Sequence, residues 1–317
     1  ILPRVTKVSA NGDEDPPVPI PNTEVKLISV ENTWRVTARE NRAVPTQSDS
    51  NNRVAFLLYS KLGRWKMKWE TILQEISKEF QVILKDNLVG IYLHGSVSFG
   101  CATDASDIDF IVVVKEPLRL EEKEKIISVI LQSKNLAPAK GLEMSIVLQR
   151  DCRLFSYPTP YQLHYSPMHQ KEYEENLKEY CNKMQGVDYD LAAHFMVIKK
   201  NGIVLCGKEV DAVFGEVPFT DYLDSIWRDV CTALEDVLLD PVSVLLNLCR
   251  VWAAFEEQKV LSKPQGADWA FPLLPSWAAR QVMQAKECYQ QGILWSRPQD
   301  GLEECAKYLI ERIQNIR

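Results

Sequence analysis

Two apolar runs separated by a short polar stretch constrain the fold of this chain more than any other segment. VGIYLHGS (89–96) is typical of a buried strand that runs into a turn of small residues, and DFIVVV (109–114) is typical of a second strand. A helical pattern over 121–133 and a third apolar run, LEMSIVLQ (142–149), follow. Strands and helices that alternate at these lengths predict a mixed α/β domain.

Residues that can hold a phosphate and a cation occupy the stretch between the first two runs. Gly95-Ser96 offers backbone that a ligand can approach closely, exposed N–H groups and a hydroxyl. Asp107 and Asp109 stand at positions i and i+2 of a strand, so their carboxylates point to the same side. Together they suit Mg²⁺ bridging a triphosphate, and Ser106 adds a hydroxyl at the same rim.

A further carboxylate, Glu143, stands near the start of the third apolar run. If this strand lies beside the strand of Asp109, Glu143 can face the same site and take a proton from an attacking hydroxyl. Taken singly, each element has an ordinary explanation, because an isolated Asp-x-Asp is usually a solvated turn and an isolated Gly-Ser only a bend. Their order along the chain nevertheless favours a functional site.

Charge and cysteine usage exclude several classes of protein. The formal net charge is −6, which disfavours a general nucleic-acid binder and would attract a polycationic small molecule. The eight cysteines form no CxxC pair and no cluster with histidine, so we expect free thiols in a reducing cytoplasm instead of a zinc site. No apolar run is long enough to cross a bilayer. We therefore expect a soluble cytoplasmic monomer with neither membrane nor nucleic-acid partners.

The character of the chain changes twice, which predicts three parts. Residues 1–60 are rich in Pro, Asn, Asp, Ser and Thr and are predicted to be an N-terminal extension, partly ordered or disordered. Apolar residues on one helical face from Trp65 to Ile83 open the predicted α/β domain, residues 61–217. Residues 218–317 are predicted to be an all-α helical domain. Its predicted helices are 222–239, 242–257, 266–274 and 277–290.

Three stretches carry a resemblance to known families. HGSVSFGCATDASDIDFIVVV (94–114) resembles the signature of the DNA polymerase β-type nucleotidyltransferase superfamily. DYDLAAHFMVIKKNGIVLCGK (188–208) and LLNLCRVWAAFEEQKVLSKPQGADWAFPLLP (245–275) resemble the aminoglycoside adenylyltransferases of streptomycin and spectinomycin resistance. The resemblance runs from about Met67 to the C-terminus. It implies an α/β nucleotidyltransferase domain with a mixed sheet, a helical second domain, and transfer of AMP from ATP, with Mg²⁺, to a drug hydroxyl.

The resemblance also assigns roles to single residues. In the first domain, Asp107 and Asp109 would hold Mg²⁺, and Glu143 matches the family's catalytic base. Ser96, which follows Gly95, and Ser106 would contact the triphosphate.

In the second half of the chain, Arg250 and Lys263 match cations that reach the ATP phosphates, and Tyr289 matches an aromatic residue near the nucleotide. Asp190 matches an acidic residue at the nucleotide or the domain contact. The drug would lie against acidic residues, Asp236 and Asp240.

Ordinary readings accompany these assignments. We expect Arg250 near the end of one helix and Lys263 in the loop before the next, where cations often only cap a helix dipole. Asp236 and Asp240, four residues apart on a predicted helix, would share a face and suit an ammonium or guanidinium group. All four histidines are expected to be packed or hydrogen-bonded. The loop with Tyr157, Tyr161 and Tyr165 could line the acceptor cleft or pack over the core.

The acceptor has several candidates. Streptomycin-using members carry a tryptophan shortly before the acidic pair, where this chain has Cys231, with Trp227 one turn earlier. This difference favours spectinomycin. The alternatives are a nucleotidyltransferase that acts on a protein hydroxyl or a cellular sugar, and a non-catalytic relative that binds nucleotide or drug.

Overall fold

The computed structural model describes residues 66–296 and 298–317, so the predicted extension over 1–60 and the predicted helix residue Trp65 lie outside the described residues. The part up to residue 217 combines a five-stranded sheet with helices, and the part after it is helical. The first part comprises α1 (Lys66–Leu84), β1 (Leu88–Leu93), α2 (Gly95–Ser98), β2 (Ile108–Val114), α3 (Leu120–Ser133), β3 (Leu142–Leu148), α4 (Gln149–Arg153), β4 (Thr159–Tyr161), β5 (Leu163–Tyr165), α5 (Gln170–Lys183), β6 (Gly186–Asp188), α6 (Leu191–Asn201), β7 (Ile203–Gly207) and α7 (Val210–Val213). The second comprises α8 (Phe219–Arg228), α9 (Ala233–Asp236), α10 (Pro241–Glu257), α11 (Lys263–Ala270), α12 (Ser276–Gln291) and α13 (Leu302–Gln314).

The sheet is mixed, with strand order β5-β3-β2-β1-β7. β2 runs antiparallel to β1 and parallel to β3, and in that parallel pair Asp109 stands opposite Glu143. Both strands are buried except at these two positions. A near-continuous apolar strand is what a sheet covered on both faces requires. The predicted adjacency of the Glu143 strand and the Asp109 strand is therefore confirmed.

Apolar helix faces cover the sheet on both sides. The α1 face predicted from periodicity packs on one side, where Trp69, Ile72, Ile76 and Phe80 are buried. On the other side, Phe195 of α6 packs in a second cluster with residues of β1, β2 and α7. These clusters fix the strand ends, and with them the positions of the carboxylates.

The helical part has a core of its own around α10, in which Trp252 is almost fully buried. Its predicted first helix, 222–239, is wrong in its continuity, because α8 ends at Arg228 and α9 is a separate short helix. Asp240 has φ −135° and ψ 74°, outside the helical region, since the residue before a proline is driven out of that region. Its side chain caps α10 by accepting a hydrogen bond from the Ser243 N–H at 3.0 Å.

Other differences concern short or amphipathic elements. Sequence patterns did not predict four short strands, which are β4, β5 and β6 of three residues each and β7 of five. They also did not predict the last helix, α13. Within the described ranges, no helix is long and apolar enough to cross a membrane. All eight cysteines are free thiols, as predicted. The predicted domain boundary between residues 217 and 218 stays a prediction, and it falls at the start of α8.

Candidate active site

A cavity of about 620 Å³ opens between the amino-terminal ends of β2 and β3 and the helices α8, α10 and α11. Its wall combines side chains from the sheet-containing part and the helical part, as a ligand cleft between domains does. The structure brings to this wall every residue predicted for the nucleotide and the metal: Gly95, Ser96, Ser106, Asp107, Asp109, Glu143, Asp190, Arg250, Lys263 and Tyr289.

The acid triad consists of Asp107, Asp109 and Glu143, each of which offers a carboxylate oxygen within 4.8 Å of the others. The parallel pairing of β2 with β3 places Asp109 beside Glu143, and Asp107 lies just before β2. Hard carboxylate oxygens at this spacing are the ligands that Mg²⁺ takes in nucleotide-binding enzymes. Among the described residues, this is the one group of three or more metal-ligating side chains at such spacing.

Mutual repulsion within the acid triad points to the same kind of ligand. Burial, with the neighbouring carboxylates of Asp107 and Glu143, holds the pKa of Asp109 well above its usual range. Burial, and then Asp107, raises the pKa of Glu143 to about 8. Carboxylates in this setting are costly to ionise together unless a cation lies between them. The donor set therefore fits a divalent cation both in its chemistry and in its charge.

The turn after β1 places a hydroxyl beside the triad. Gly95 has φ +62°, and a Cβ at that position would overlap the carboxylate of Asp109, so only glycine fits. Ser96 follows at the start of α2, and its Oγ is buried with no hydrogen-bond partner among the described residues. Such a group needs a partner, and a phosphate oxygen would supply one. Ser106 instead holds the loop, because its Oγ accepts a hydrogen bond from the Thr103 N–H at 2.9 Å.

The cations reach the cavity from the helical part, but not from the expected local positions. Arg250 lies in the interior of α10, not near its end, and Lys263 is the first residue of α11, not a loop residue. Neither position is a helix C-terminus, so the dipole-capping reading is wrong. Ser262 and Gln265 form a capping box that fixes where α11 begins, and this sets the position of Lys263. Burial, and then Lys140 and Arg250, lowers the pKa of Lys263 to about 8.

Asp229 at the end of α8 is a cavity residue that sequence reasoning missed. Its carboxyl group is hydrogen-bonded to that of Asp190, which precedes α6 in the other part of the chain. Burial, and then Asp229, holds the pKa of Asp190 well above its usual range. This contact joins the two parts of the chain at the cavity wall. Lys140 and Asn247 were missed in the same way.

Asp236 and Asp240 do not line the cavity. They also do not share a helix face, because the helix breaks before Asp240, as described above. The carboxylate of Asp236 accepts a hydrogen bond from the Thr232 hydroxyl at 2.8 Å, and that of Asp240 caps α10. Their part in acceptor binding stays a prediction. On the wall formed by α6 and α8, the acidic groups are Asp190 and Asp229.

The histidines have packing partners, as expected from the sequence. His164 Nδ1 lies 3.0 Å from the Ser145 hydroxyl, and His169 Nδ1 lies 2.6 Å from the Tyr180 hydroxyl. His94 and His194 stack with ring centroids 4.6 Å apart and line the cavity, a location that the sequence did not indicate. No histidine joins a metal-ligating group within the described part of the chain.

The tyrosine-rich loop packs instead of lining the cavity. Tyr161 and Tyr165 are buried, and the hydroxyl of Tyr157 donates a hydrogen bond to Asp224 of α8 at 2.8 Å. The alternative that this loop covers the core is thus the one the structure supports. Only its end, Ser166 to Met168, reaches the cavity wall.

The burial of His164 predicts how the free energy of unfolding changes in acid. Burial, and then His169, lowers the pKa of His164 to about 3, whereas an unfolded histidine titrates near 6.5. Below pH 6.5 the unfolded chain therefore binds the proton more readily, and stability is lost as the pH falls from 6.5 towards 3. Between pH 6.5 and pH 5 the wild type should lose about 1 to 2 kcal/mol more free energy of unfolding than His164→Asn. Urea denaturation at both pH values measures this difference, and equal losses would contradict it.

Both parts of the chain are similar to known protein families. Residues 70–161 match the model of a nucleotidyltransferase domain, and residues 212–312 match that of the aminoglycoside adenylyltransferase C-terminal domain. A spectinomycin 9-adenylyltransferase of Staphylococcus aureus is 29% identical over 202 residues, which cover 61% of this chain and 76% of that protein. Its counterpart in Campylobacter jejuni is 24% identical over 242 residues, covering 74% of this chain and 92% of that protein.

The fold also resembles a solved structure. A spectinomycin adenyltransferase from Enterococcus faecialis, crystallised with ATP and spectinomycin, matches with a TM-score of 0.65 and 21% identity. The match covers 77% of this chain and 99% of that chain. The predicted fold class, an α/β nucleotidyltransferase domain with a mixed sheet followed by an all-α domain, is confirmed.

Proposed function

We propose that this chain, which belongs to the aminoglycoside adenylyltransferases of the nucleotidyltransferase superfamily, transfers AMP from ATP to a hydroxyl of spectinomycin. The observation that carries the proposal is one cavity whose wall combines the acid triad of Asp107, Asp109 and Glu143 with the cations Arg250 and Lys263. Carboxylates for a metal facing cations for phosphates are the parts that transfer of a nucleotidyl group requires.

Asp107 and Asp109 would hold Mg²⁺, since their oxygens and their mutual repulsion fit a divalent cation. When bound, the ion neutralises the phosphate oxygens and helps to orient the α-phosphorus. The buried and unpartnered hydroxyl of Ser96 binds a phosphate oxygen beside them. Gly95 lets the backbone approach this closely, and Tyr289 supports the nucleotide from α12.

Glu143 acts as the general base. It accepts the proton of the drug hydroxyl as the hydroxyl oxygen bonds to the α-phosphorus of ATP. The bond between the α-phosphorus and its bridging oxygen breaks, and pyrophosphate leaves with the electron pair. Arg250 and Lys263 bind the departing pyrophosphate, because both carry positive charge at the opposite wall of the cavity.

The acceptor lies at the acidic wall. Asp190 and Asp229 supply buried carboxyl groups there, and the ammonium groups of an aminocyclitol would favour their ionised form and donate hydrogen bonds to them. Spectinomycin is favoured over streptomycin because Cys231 stands where streptomycin-using members have a tryptophan, and because the relatives described above are spectinomycin enzymes.

Pyrophosphate release with ATP and Mg²⁺ tests the proposal, with spectinomycin, streptomycin or no drug added to separate samples. Release that requires spectinomycin is the expected result, and modification of the drug should be visible as a mass increase of one AMP. Release with streptomycin alone would overturn the choice of acceptor. If neither drug causes pyrophosphate release in protein that still binds ATP, the drug-modifying function is overturned. That result would favour a different acceptor, such as a protein hydroxyl or a cellular sugar.

A further inference from the structure

Lys140 lies in the loop before β3, and its side chain lines the cavity. The loop is fixed by its backbone: the Ile108 N–H donates to the Gly141 carbonyl at 3.1 Å, and the Gly141 N–H donates to the Pro138 carbonyl at 2.8 Å. Gly141 has φ +85°, and a Cβ there would lie 2.6 Å from Pro167. Lys140 is therefore held where β2 and β3 begin, next to the acid triad.

The charges around Lys140 come from both walls of the cavity. Lys140 attracts the carboxylate of Asp109 on one side and repels the ammonium group of Lys263 on the other. The ion pairs within 4.0 Å among the described residues include neither Lys140 nor Lys263. Arg250 has one distant partner, with its guanidinium 3.9 Å from Asp229, and its Nε is buried without a hydrogen-bond partner.

These cations converge from three separate elements: the loop before β3, α10 and α11. Like charges gathered in a partly desolvated cavity repel one another unless an anion fills the space between them. The acceptor does not meet this need, because an aminocyclitol is itself a cation. A polyphosphate does, since its oxygens can accept charge-assisted hydrogen bonds from several cations at once.

We infer that Lys140 is a third cation of the polyphosphate site, which holds the triphosphate from the sheet side while Arg250 and Lys263 hold it from the helical side. The inference rests on the proposed function and adds a residue to it. Because Lys140 lines the cavity from the loop where β2 and β3 begin, it contacts the phosphates nearest the acid triad. It orients the phosphate chain and neutralises charge on the pyrophosphate as that group leaves.

The competing explanation is that Lys140 serves only as a counter-ion for the acid triad. That function would make the triad less repulsive without any contact to phosphate. The two explanations differ in what the loss of the charge changes. A phosphate contact changes the affinity for a polyphosphate that has no nucleoside, whereas a counter-ion changes the stability of the protein and its affinity for Mg²⁺.

Calorimetric titration of the full chain with inorganic tripolyphosphate and with ATP, both in Mg²⁺, tests the inference. The Kd for both ligands should rise about tenfold in Lys140→Gln, the size expected for losing one charge-assisted hydrogen bond. Lys140→Arg should stay within about threefold of the wild type, because it keeps the charge and the donors. Lys115→Gln is the matched control: Lys115 is exposed beyond the far end of β2 and should bind as the wild type does.

Equal tripolyphosphate affinity in Lys140→Gln and Lys115→Gln would overturn the inference. So would a Lys140→Gln protein with lower Tm and weaker Mg²⁺ binding but unchanged tripolyphosphate affinity. The titration contains no drug, so its failure is distinct from failure of the proposed function. Normal polyphosphate binding in Lys140→Gln, together with drug-dependent pyrophosphate release, would exclude Lys140 from phosphate binding and leave the proposed function intact.

Discussion

Glu143→Gln is expected to reduce the turnover of spectinomycin by about 10²- to 10⁴-fold, the contribution typical of a positioned general base. The substitution keeps the size of the side chain and removes its capacity to take a proton. Glu143 stands opposite Asp109 in the β2–β3 pair, so the backbone holds it in place in the variant. Binding of ATP with Mg²⁺ should remain largely intact, because Arg250 and Lys263, the cations proposed to bind the phosphates, are untouched.

Steady-state kinetics and ATP titration of the same preparation separate these effects. Glu116→Gln is the matched control, since Glu116 is exposed beyond the far end of β2 and should leave turnover unchanged. The acid limb of the kcat/KM profile should disappear in Glu143→Gln if Glu143 is the base. Near-normal turnover would remove Glu143 from that role. A loss of Mg²⁺ affinity equal to the loss of turnover would instead make it a metal ligand.

Asp109→Asn should be the second damaging substitution and should reduce turnover by about 10³-fold or more. A metal that neutralises phosphate oxygens contributes several kcal/mol to the transition state, and each 1.36 kcal/mol is a factor of ten in rate. Without the cation, however, the variant should unfold at the same or a higher temperature than the wild type. The reason is that the substitution removes a buried carboxyl group whose ionisation burial and its acidic neighbours oppose.

Thermal unfolding in EDTA and in Mg²⁺ with ATP checks both halves of this prediction. The wild type should gain stability from Mg²⁺ with ATP, and Asp109→Asn should lose most of that gain. Asp104→Asn is the control, because Asp104 is exposed in the same loop and does not line the cavity. An Asp109→Asn protein that melts well below the wild type in EDTA would show that the carboxylate stabilises the fold, contrary to the expectation.

Much of the sheet side of the site could be predicted because its determinants are local. Asp107 and Asp109 are two residues apart at the start of a strand, so periodicity alone puts their side chains on one side of it. Gly95-Ser96 closes the strand before it, and the antiparallel pairing of β1 with β2 brings that turn beside Asp109. The adjacency of Glu143 needed one further condition, the parallel pairing of β2 with β3. Parallel neighbours in an α/β unit are the ordinary outcome of a strand, helix and strand in sequence. Roles for Arg250 and Lys263 came from resemblance to a family and not from their local pattern.

The sequence by itself determined the α/β class, the strand that bears the Asp-x-Asp, and the helical second half, because these depend on periodicities within about ten to twenty residues. Only the tertiary structure decided that Asp190 and Asp229 meet at one wall, that Lys140 and Lys263 line one cavity, and that the helix before Pro241 breaks. The first two bring together residues that are far apart in the chain. They depend on how the helical part packs against the sheet, which no local pattern encodes.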